Sequence, residues 1–220
     1  MTTAPRSPDS SQARHSPWKY GFFTVITVVW VIADQWTKIW VRSNLRLYKD
    51  EIQVIDGFFS LIHAENPGAA FGLGAGSPYA MAIFGVFTVV AMFVLLKMLS
   101  ELPANDRFQN AALALITSGA IGNAIDRVDK QKVTDFLRVY TNHPSAQAKL
   151  EAWFGTSEWP AFNVADAAIV IGLGMFGIFY LFLQKDQEGL EPDPPSKALA
   201  DGAPTDGPEG RSAEKGDGPA

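Results

Sequence analysis

The sequence of 220 residues contains no cysteine and only three histidines, which excludes or disfavours several kinds of catalytic site. Without cysteine the chain has no disulfide, no thiolate nucleophile and no cysteine-ligated zinc or iron–sulfur centre. The histidines are scattered: His15 is in a polar N-terminal segment, His63 in a strand-like run and His143 before a proline. The sequence has no H-E-x-x-H motif, so a zinc protease is disfavoured. It also has no G-x-S-x-G elbow, no histidine evident as a partner of Ser118, and no P-loop motif. The run GLGMFG, 172–177, has the spacing G-x-G-x-x-G but lies inside an apolar stretch.

Polar residues are concentrated at the two ends of the chain, so a near-neutral mean hydropathy conceals an apolar middle. Residues 1–17 are rich in serine, proline and alanine, and residues 185–220 in proline, glycine and acidic residues. Such segments bury too little apolar surface to offset their ordering entropy, so we expect both to be disordered. The acidic C-terminal segment supplies much of the net charge of −5, so this charge says little about partners. We expect no nucleic-acid partner. Residues 18–184 form one predicted domain.

Four apolar stretches are long enough to cross the hydrocarbon core of a bilayer, which takes roughly 20 helical residues. They run from about Trp18 to Trp40, Pro78 to Leu99, Phe108 to Ile125 and Phe162 to Leu183. The third is weaker and rich in alanine and glycine, which suit close helix packing, and the glycine-rich run 172–177 is interpreted in the same way. No A-x-A-like site follows the first stretch, so we expect an uncleaved helix. The predicted fold is an all-α membrane protein with four transmembrane helices.

Both long connections are predicted to lie opposite the termini, because four spans return the chain to its starting side. The connection 42–77 contains β-like runs at 51–55 and 58–62, which predict a small sheet lying on the membrane. The connection 127–160 contains aromatic residues that suit the membrane interface, namely Trp153, Phe154 and Trp159. Lysine and arginine are slightly more numerous in these connections, and this count alone would place the termini outside the cell.

Acidic residues recur at corresponding ends of the apolar stretches, although a charge at a helix centre costs about 2.5–3.5 kcal/mol on insertion scales. Asp34 ends the first stretch, Asp126 ends the third and Asp166 begins the fourth. Because helices alternate in direction, these ends lie at one face of the membrane, and Asp135 follows closely enough to return there. We therefore expect carboxylates from separate parts of the chain to converge at one depth.

Helical spacing adds amide and guanidinium groups to this cluster. Asn163 lies three residues before Asp166, so the two share a helix face. Asn123 lies three residues before Asp126 and four before Arg127, which again places them on one face. An asparagine can orient a neighbouring carboxylate or donate to a developing oxyanion. An arginine beside several aspartates favours the ionised form of some of them.

Helix caps and structural ion pairs are the alternative interpretation of the same residues. Asp34 and Asp126 are the best candidates for such roles, because each has a cation nearby in sequence, Lys38 and Arg127 respectively. The other two aspartates have no cation at helical spacing, and Asp135 interrupts the extended apolar run VTDFL. By elimination, two aspartates remain the plausible catalytic groups.

Five sequence blocks, in this order, resemble the motifs of one family, the lipoprotein signal peptidases or signal peptidase II. The blocks are ADQWTK (Asp34, Thr37, Lys38), ENPGAAFG (Asn66, Gly68, Ala69, Ala70, Phe71, Gly72), SGAIGNAIDR (Gly119, Gly122, Asn123, Asp126, Arg127), VTDF (Asp135) and FNVAD (Phe162, Asn163, Ala165, Asp166). Each block alone is weak, but all five around four spans, from about Trp18 to Leu183, are highly specific. Two departures are Gln131, where the family usually has glycine, and a longer 137–161 loop, which we expect to alter the turn before Asp135 and the outer lid.

The resemblance implies an intramembrane aspartic endopeptidase with Asp135 and Asp166 as its catalytic dyad. The implied supporting or substrate-binding residues are Asp34, Lys38, Asn66, Gly68, Asn123, Asp126, Arg127 and Asn163. The implied substrate is a bacterial prolipoprotein carrying diacylglyceryl on its cysteine, cut just before that cysteine. Membrane lipids and globomycin-type inhibitors would be further partners, and no metal or organic cofactor is required. The family has its termini in the cytoplasm and its site near the outer leaflet of the cytoplasmic membrane, and we follow this over the charge count.

A small proton-coupled transporter is an alternative from another class, in which the aspartates would relay protons or bind a cation. The two halves of the sequence show no clear internal repeat of the kind common in carriers. A structural membrane scaffold is a third interpretation, which accounts for the apolar stretches but not for the clustered acids. Peptide cleavage distinguishes the first interpretation from the other two.

Overall fold

A computed structural model describes residues 17–68, 79–156 and 158–183, and contains five α-helices and three β-strands in these ranges. The elements are α1 (Pro17–Asn44), β1 (Glu51–Ile55), β2 (Phe59–Asn66), α2 (Ala80–Glu101), α3 (Arg107–Lys130), β3 (Val133–Val139), α4 (Pro144–Phe154) and α5 (Val164–Ile178). A π-helical segment, Phe179–Leu183, continues α5. The segments predicted to be disordered lie outside the described residues, except for Pro17, which begins α1.

Three helices are long and apolar enough to cross a membrane, counting only the part of the chain that the structure describes. They are Pro17–Asn44, Ala82–Glu101 and Val164–Phe182. The predicted third span, α3, has the expected length but not the apolar character, so a fourth span is not established by composition. This difference has a physical reason, because α3 packs against α5, α1 and α2. A helix enclosed by its neighbours exposes little surface to lipid and tolerates more polar residues.

Glycines allow α3 to approach its neighbours closely. An added Cβ at Gly119 would overlap the backbone oxygen of Ala165, and one at Gly122 would lie 2.5 Å from Oδ2 of Asp34. Gly172 of α5 packs in the same way against the backbone of α3. The packing interpretation of the 172–177 run is therefore confirmed at its first glycine. These contacts place the start of α5 directly beside the middle of α1 and α3.

The strands form one antiparallel sheet in the order β1-β2-β3. The predicted β-like runs correspond to β1 and to the first part of β2, and the third strand contains Asp135, paired with Ala64 of β2. The register of β2 shifts between Leu61 and Ala64, which is a β-bulge or irregularity. The sheet therefore carries Asp135 at a defined position opposite the irregular part of β2.

Three backbone hydrogen bonds join the sheet to the start of α5. The amides of Phe136 and Leu137 donate to the oxygen of Phe162 at 3.0 and 2.8 Å, and the amide of Phe162 donates to the oxygen of Leu137 at 3.1 Å. Phe162 is two residues before the first residue of α5. We call this contact the Phe162 clamp. It holds the strand that carries Asp135 against the helix that carries Asp166.

The long 137–161 loop contains α4, which was not expected from the sequence. Arg138 of β3 pairs with Glu158 at 2.6 Å and with Glu51 at 3.1 Å, and these ion pairs attach the loop to the sheet. Trp153 and Trp159 are 79% and 60% exposed. The side chain of Phe154 lies outside the described part of the structure.

Candidate active site

A cavity of about 570 Å³ lies between β3, α3 and α5. Its polar lining residues are Asn66, Asn123, Arg127, Asp135 and Asp166. Its other lining residues are apolar or aromatic, including Val133, Trp159, Pro160, Phe162, Ile169, Val170 and Ile171. An apolar cavity with a few convergent polar groups is typical of a ligand-binding or catalytic site. Five of the ten predicted site residues thus line one cavity.

Asp135 lies in β3 and is 5% exposed. Its Oδ1 accepts a hydrogen bond from Nδ2 of Asn163 at 2.8 Å, and its Oδ2 accepts one from Nδ2 of Asn66 at 3.3 Å. Burial, and then the negative charge of Asp166, raise the pKa of Asp135 from its usual 3.8 to about 6, against the opposing effect of the two amide donors and of Lys38. Asp135 is therefore protonated more readily than an ordinary carboxyl.

Asp166 lies in the first turn of α5 and forms a capping box with Asn163. Oδ2 of Asp166 accepts from the backbone amide of Asn163 at 3.2 Å, and Oδ1 of Asn163 accepts from the backbone amide of Asp166 at 3.0 Å. The remaining oxygen, Oδ1 of Asp166, accepts from Nδ2 of Asn123 at 2.8 Å. Asn163 is therefore the N-cap residue rather than part of the helix face predicted from spacing. Asp166 therefore both caps the start of α5 and lines the cavity.

Two asparagine side chains connect the aspartates. Nδ2 of Asn163 donates to Asp135 and also to Oδ1 of Asn123 at 3.2 Å, while Nδ2 of Asn123 donates to Asp166. The two carboxyl groups, which come from a strand and a helix, thus share one continuous hydrogen-bonded network. The structure brings Asp135 and Asp166 to the same cavity and into electrostatic contact.

A buried ion-pair network lies beside this site and outside the cavity lining. The Lys38 ammonium, 0% exposed, is 2.9 Å from Oδ2 of Asp34 and 3.3 Å from Oδ2 of Asp126. Asp34 also accepts from the backbone amide of Ala165 at 2.9 Å, and Asp126 from that of Thr134 at 3.1 Å. Asp34 and Asp126 therefore connect α1 and α3 to the start of α5 and to β3.

The predicted association of Asp126 with Arg127 is wrong. The side chains of consecutive helical residues diverge, and Asp126 pairs with Lys38 and with Arg42 at 3.4 Å. Arg127 instead donates to the backbone oxygen of Gly68 at 3.3 Å and lies over the Phe84 ring at 4.8 Å. The sequence analysis missed Arg42, although it follows Lys38 by four residues and so shares its helix face.

Gly68 and Asn66 bring the end of β2 to the site. The Gly68 amide donates to Oδ1 of Asn66 at 3.0 Å, and this turns the Asn66 amide nitrogen toward Asp135. The second half of the ENPGAAFG block, residues 69–72, lies outside the described residues. Within the described ranges, no group of three or more histidine or acidic side chains is arranged to hold a metal ion.

Comparison with protein families gives one clear result. The family model for signal peptidase (SPase) II matches residues 26–182, which include all five polar residues of the cavity. The chain belongs to the signal peptidase II family. It is therefore a signal peptidase, and the transporter alternative has no support.

Lipoprotein signal peptidases of several bacteria match this chain over similar lengths. A lipoprotein signal peptidase of Maridesulfovibrio salexigens is 39% identical over 165 residues, covering 74% of this chain and 97% of the relative. Those of Geobacter metallireducens and Bacillus pumilus are 38% and 34% identical and cover 72% and 76% of this chain, and 90% and 94% of the relatives. The family members thus match the central part of this chain over nearly their whole length.

Solved structures show the same fold. A bacterial membrane enzyme determined by the in meso method at 2.3 Å resolution is 29% identical, with a TM-score of 0.62 over 80% of this chain and 95% of that one. A second, determined at 1.9 Å resolution, is 30% identical, with a TM-score of 0.60 over 74% of this chain and 94% of that one. With the three apolar helices, this likeness identifies a multi-pass membrane protein.

Proposed function

We propose that this signal peptidase is an aspartic endopeptidase in which Asp135 and Asp166 form the catalytic dyad. This proposal rests on one observation, that the two carboxyl groups lie at one cavity and are linked through the side chains of Asn163 and Asn123. Neighbouring carboxyl groups cannot both ionise cheaply, so they share one proton. The raised pKa of Asp135, about 6, is in keeping with such a pair.

The proposed reaction is hydrolysis of the peptide bond before the lipidated cysteine. The ionised carboxylate of the dyad takes a proton from a water molecule, whose oxygen attacks the scissile carbonyl carbon. The protonated carboxyl donates its proton to the carbonyl oxygen. The C–N bond then breaks, the departing amine receives the proton held by the first carboxylate, and the second carboxylate takes back a proton from one hydroxyl of the gem-diol, which leaves a carboxylic acid and restores the singly protonated dyad. The two groups titrate as a pair, so base and acid are assigned to neither residue.

The proposed substrate is a bacterial prolipoprotein with diacylglyceryl on its cysteine, and this rests on the lipoprotein signal peptidases that the chain resembles. The apolar cavity wall on α5 suits a signal-peptide helix or an acyl chain, and Arg127 suits the substrate backbone or the polar part of the lipid. Membrane lipids and globomycin-type inhibitors are the other proposed partners. The supporting residues are those of the ion-pair and amide network, namely Asp34, Lys38, Asn66, Gly68, Asn123, Asp126, Arg127 and Asn163.

The proposed location is the bacterial cytoplasmic membrane, with four spans, both termini in the cytoplasm and the site near the outer leaflet. The catalytic unit is residues 18–184, and α3 is the fourth span, enclosed by α1, α2 and α5. The dyad lies at the start of α5, which is one end of an apolar span. The exposed Trp153 and Trp159 suit an interfacial position at that end.

The test replaces each dyad residue while keeping its shape. Asp135→Asn and Asp166→Asn should each lower kcat at least about 1,000-fold, because each removes one of two required proton-transfer groups. The assay is cleavage of a diacylglyceryl peptide in detergent or vesicles, with the unlipidated peptide and a globomycin-type inhibitor in parallel. Asp129→Asn is the matched control, because Asp129 is on α3 with a side chain 65% exposed. Normal cleavage by a folded Asp135→Asn or Asp166→Asn variant would remove that residue from the dyad.

A further inference from the structure

Three asparagine side chains surround the two aspartates, and all three turn their NH₂ group toward a carboxylate. Asn66 and Asn163 donate to Asp135, and Asn123 donates to Asp166. An asparagine amide has a nearly symmetric shape and can present either its oxygen or its nitrogen. Some other contact must therefore select one orientation.

In each case the amide oxygen is held by a group that can only donate. For Asn66 this group is the backbone N–H of Gly68, at 3.0 Å, and for Asn163 it is the backbone N–H of Asp166, also at 3.0 Å. For Asn123 it is the ammonium of Lys38, at 3.1 Å. An ammonium has three donors and no acceptor, so it cannot face the amide nitrogen. Two of these three donors are backbone amides, and the third, Lys38, is a side chain.

We propose that Lys38 is a positioning residue that fixes the Asn123 amide, whose oxygen also accepts from Asn163, so that only N–H donors face the dyad. This inference rests on the proposed aspartic mechanism. Because the oxygens of these amides face away from the carboxylates, they cannot accept the proton that the dyad shares. That proton then remains available to the substrate carbonyl oxygen.

Lys38 acts at a distance from the reacting groups. It is absent from the cavity lining, and it reaches Asp166 through Asn123 and Asp135 through Asn123 and Asn163. Its charge also lowers the pKa of Asp135, which burial and Asp166 raise. The other charged groups around this network are Asp34 and Asp126, which pair with Lys38, Arg42, which pairs with Asp126, and Arg127 at the cavity.

The first variant is Lys38→Met, assayed for cleavage of a diacylglyceryl peptide. The assay covers roughly pH 4.5 to 9, so that it spans the titration of a perturbed carboxyl pair. We expect kcat to fall at least about 10-fold while KM changes less than about 3-fold, since Lys38 does not line the cavity. We also expect the alkaline limb of kcat/KM, where the dyad loses its shared proton, to move to higher pH by roughly 1 unit, because the charge of Lys38 lowers the pKa of Asp135.

Lys19→Met is the matched control. Lys19 is also buried in α1, 1% exposed, and donates to the backbone oxygen of Leu102 at 2.9 Å. It lies about 28 Å from Lys38 along the helix. Its loss should lower the thermal midpoint and leave the pH profile in place.

Lys38→Met leaves Asp34 less well compensated and can prevent folding. The second variant is therefore Lys38→Met combined with Asp34→Asn, compared with Asp34→Asn alone, so that one charge of each sign is removed. Here too kcat should fall at least about 10-fold on loss of Lys38. A folded Lys38 variant with the kcat and pH profile of its parent overturns the proposal. Failure of both variants to fold, while Lys19→Met folds, also overturns it by making the role structural.

The outcome of this experiment is distinct from that of the dyad test. An active Asp135→Asn enzyme would refute the aspartic mechanism itself. An inactive Asp135→Asn enzyme together with a Lys38→Met enzyme of unchanged pH profile would refute only the role of Lys38.

Discussion

Replacing Gly119 by alanine should separate the two halves of the active site without changing any polar group. The added Cβ would overlap the backbone oxygen of Ala165 and lie 2.5 Å from Cγ1 of Ile169, whereas ordinary contacts begin near 3.4 Å. A rigid carbonyl cannot rotate away, so α5 must move by about 1 Å from α3. Ala165 directly precedes Asp166, so the displacement acts on the dyad itself.

The magnitude follows from the two consequences of that movement. Overpacking of this kind costs about 1–3 kcal/mol of stability, and a misplacement of about 1 Å at a catalytic group can lower kcat roughly 100-fold. Thermal unfolding in detergent measures the first effect. Cleavage of a diacylglyceryl peptide at saturating concentration measures the second.

Gly174→Ala provides the control on α5, because no atom lies within 4 Å of its added Cβ. It should keep wild-type kcat and be as stable as the wild type or slightly more so, since alanine favours helix. A Gly119→Ala enzyme that matches Gly174→Ala in both measurements would refute the close-packing argument. One that is less stable but fully active would show that the spacing of α3 and α5 does not set the geometry of the dyad.

Two further predictions follow from Asp135 and from backbone conformation. The alkaline limb of kcat/KM should have its midpoint near pH 6, because Asp135, whose pKa is raised to about 6, then loses the proton that the dyad shares. Because the ordinary pKa is 3.8, this residue stabilises the fold most below about pH 4, and that contribution should be lost as pH rises through about 6, as thermal unfolding against pH would show. Gln131 ends α3 with φ 61°, and Gly155 ends α4 with φ 72°, a backbone conformation that favours glycine. Gln131→Gly should therefore raise the free energy of unfolding by about 1 kcal/mol, and Gly155→Ala should lower it by a similar amount. Changes of the opposite sign in thermal unfolding would contradict this.

Local patterns predicted much of the fold. The alternating run 51–55 and the apolar run 58–62 correspond to β1 and part of β2, and the first two apolar stretches correspond to α1 and α2. The pairing of β3 with β2 was not foreseen, because strand partners distant in sequence leave no local pattern. The helix α4 was also missed, although Pro144 at its start and Gly155 after its end are ordinary helix signals.

The sequence predicted which residues form the candidate site better than it predicted the contacts between them. Asp135 and Asp166 do lie at one cavity, as the alternation of helix directions indicated. Their link through Asn163 and Asn123 depends on which way each amide faces, and the oxygen of Asn123 is held by Lys38, which is distant in sequence. The partner of Asp126 was assigned wrongly from proximity in sequence, because the cations that reach it lie on α1.

The Phe162 clamp has a mechanical consequence. Asp135 belongs to the sheet and Asp166 to the apolar helix α5, so a tilt of α5 in its surroundings would increase the distance between the two carboxyl groups. The three hydrogen bonds at Phe162 hold the start of α5 against the sheet, so a tilt of the helix moves this end least. A tilt that bends the far end of α5 by several ångströms therefore reaches the two acids as a much smaller displacement.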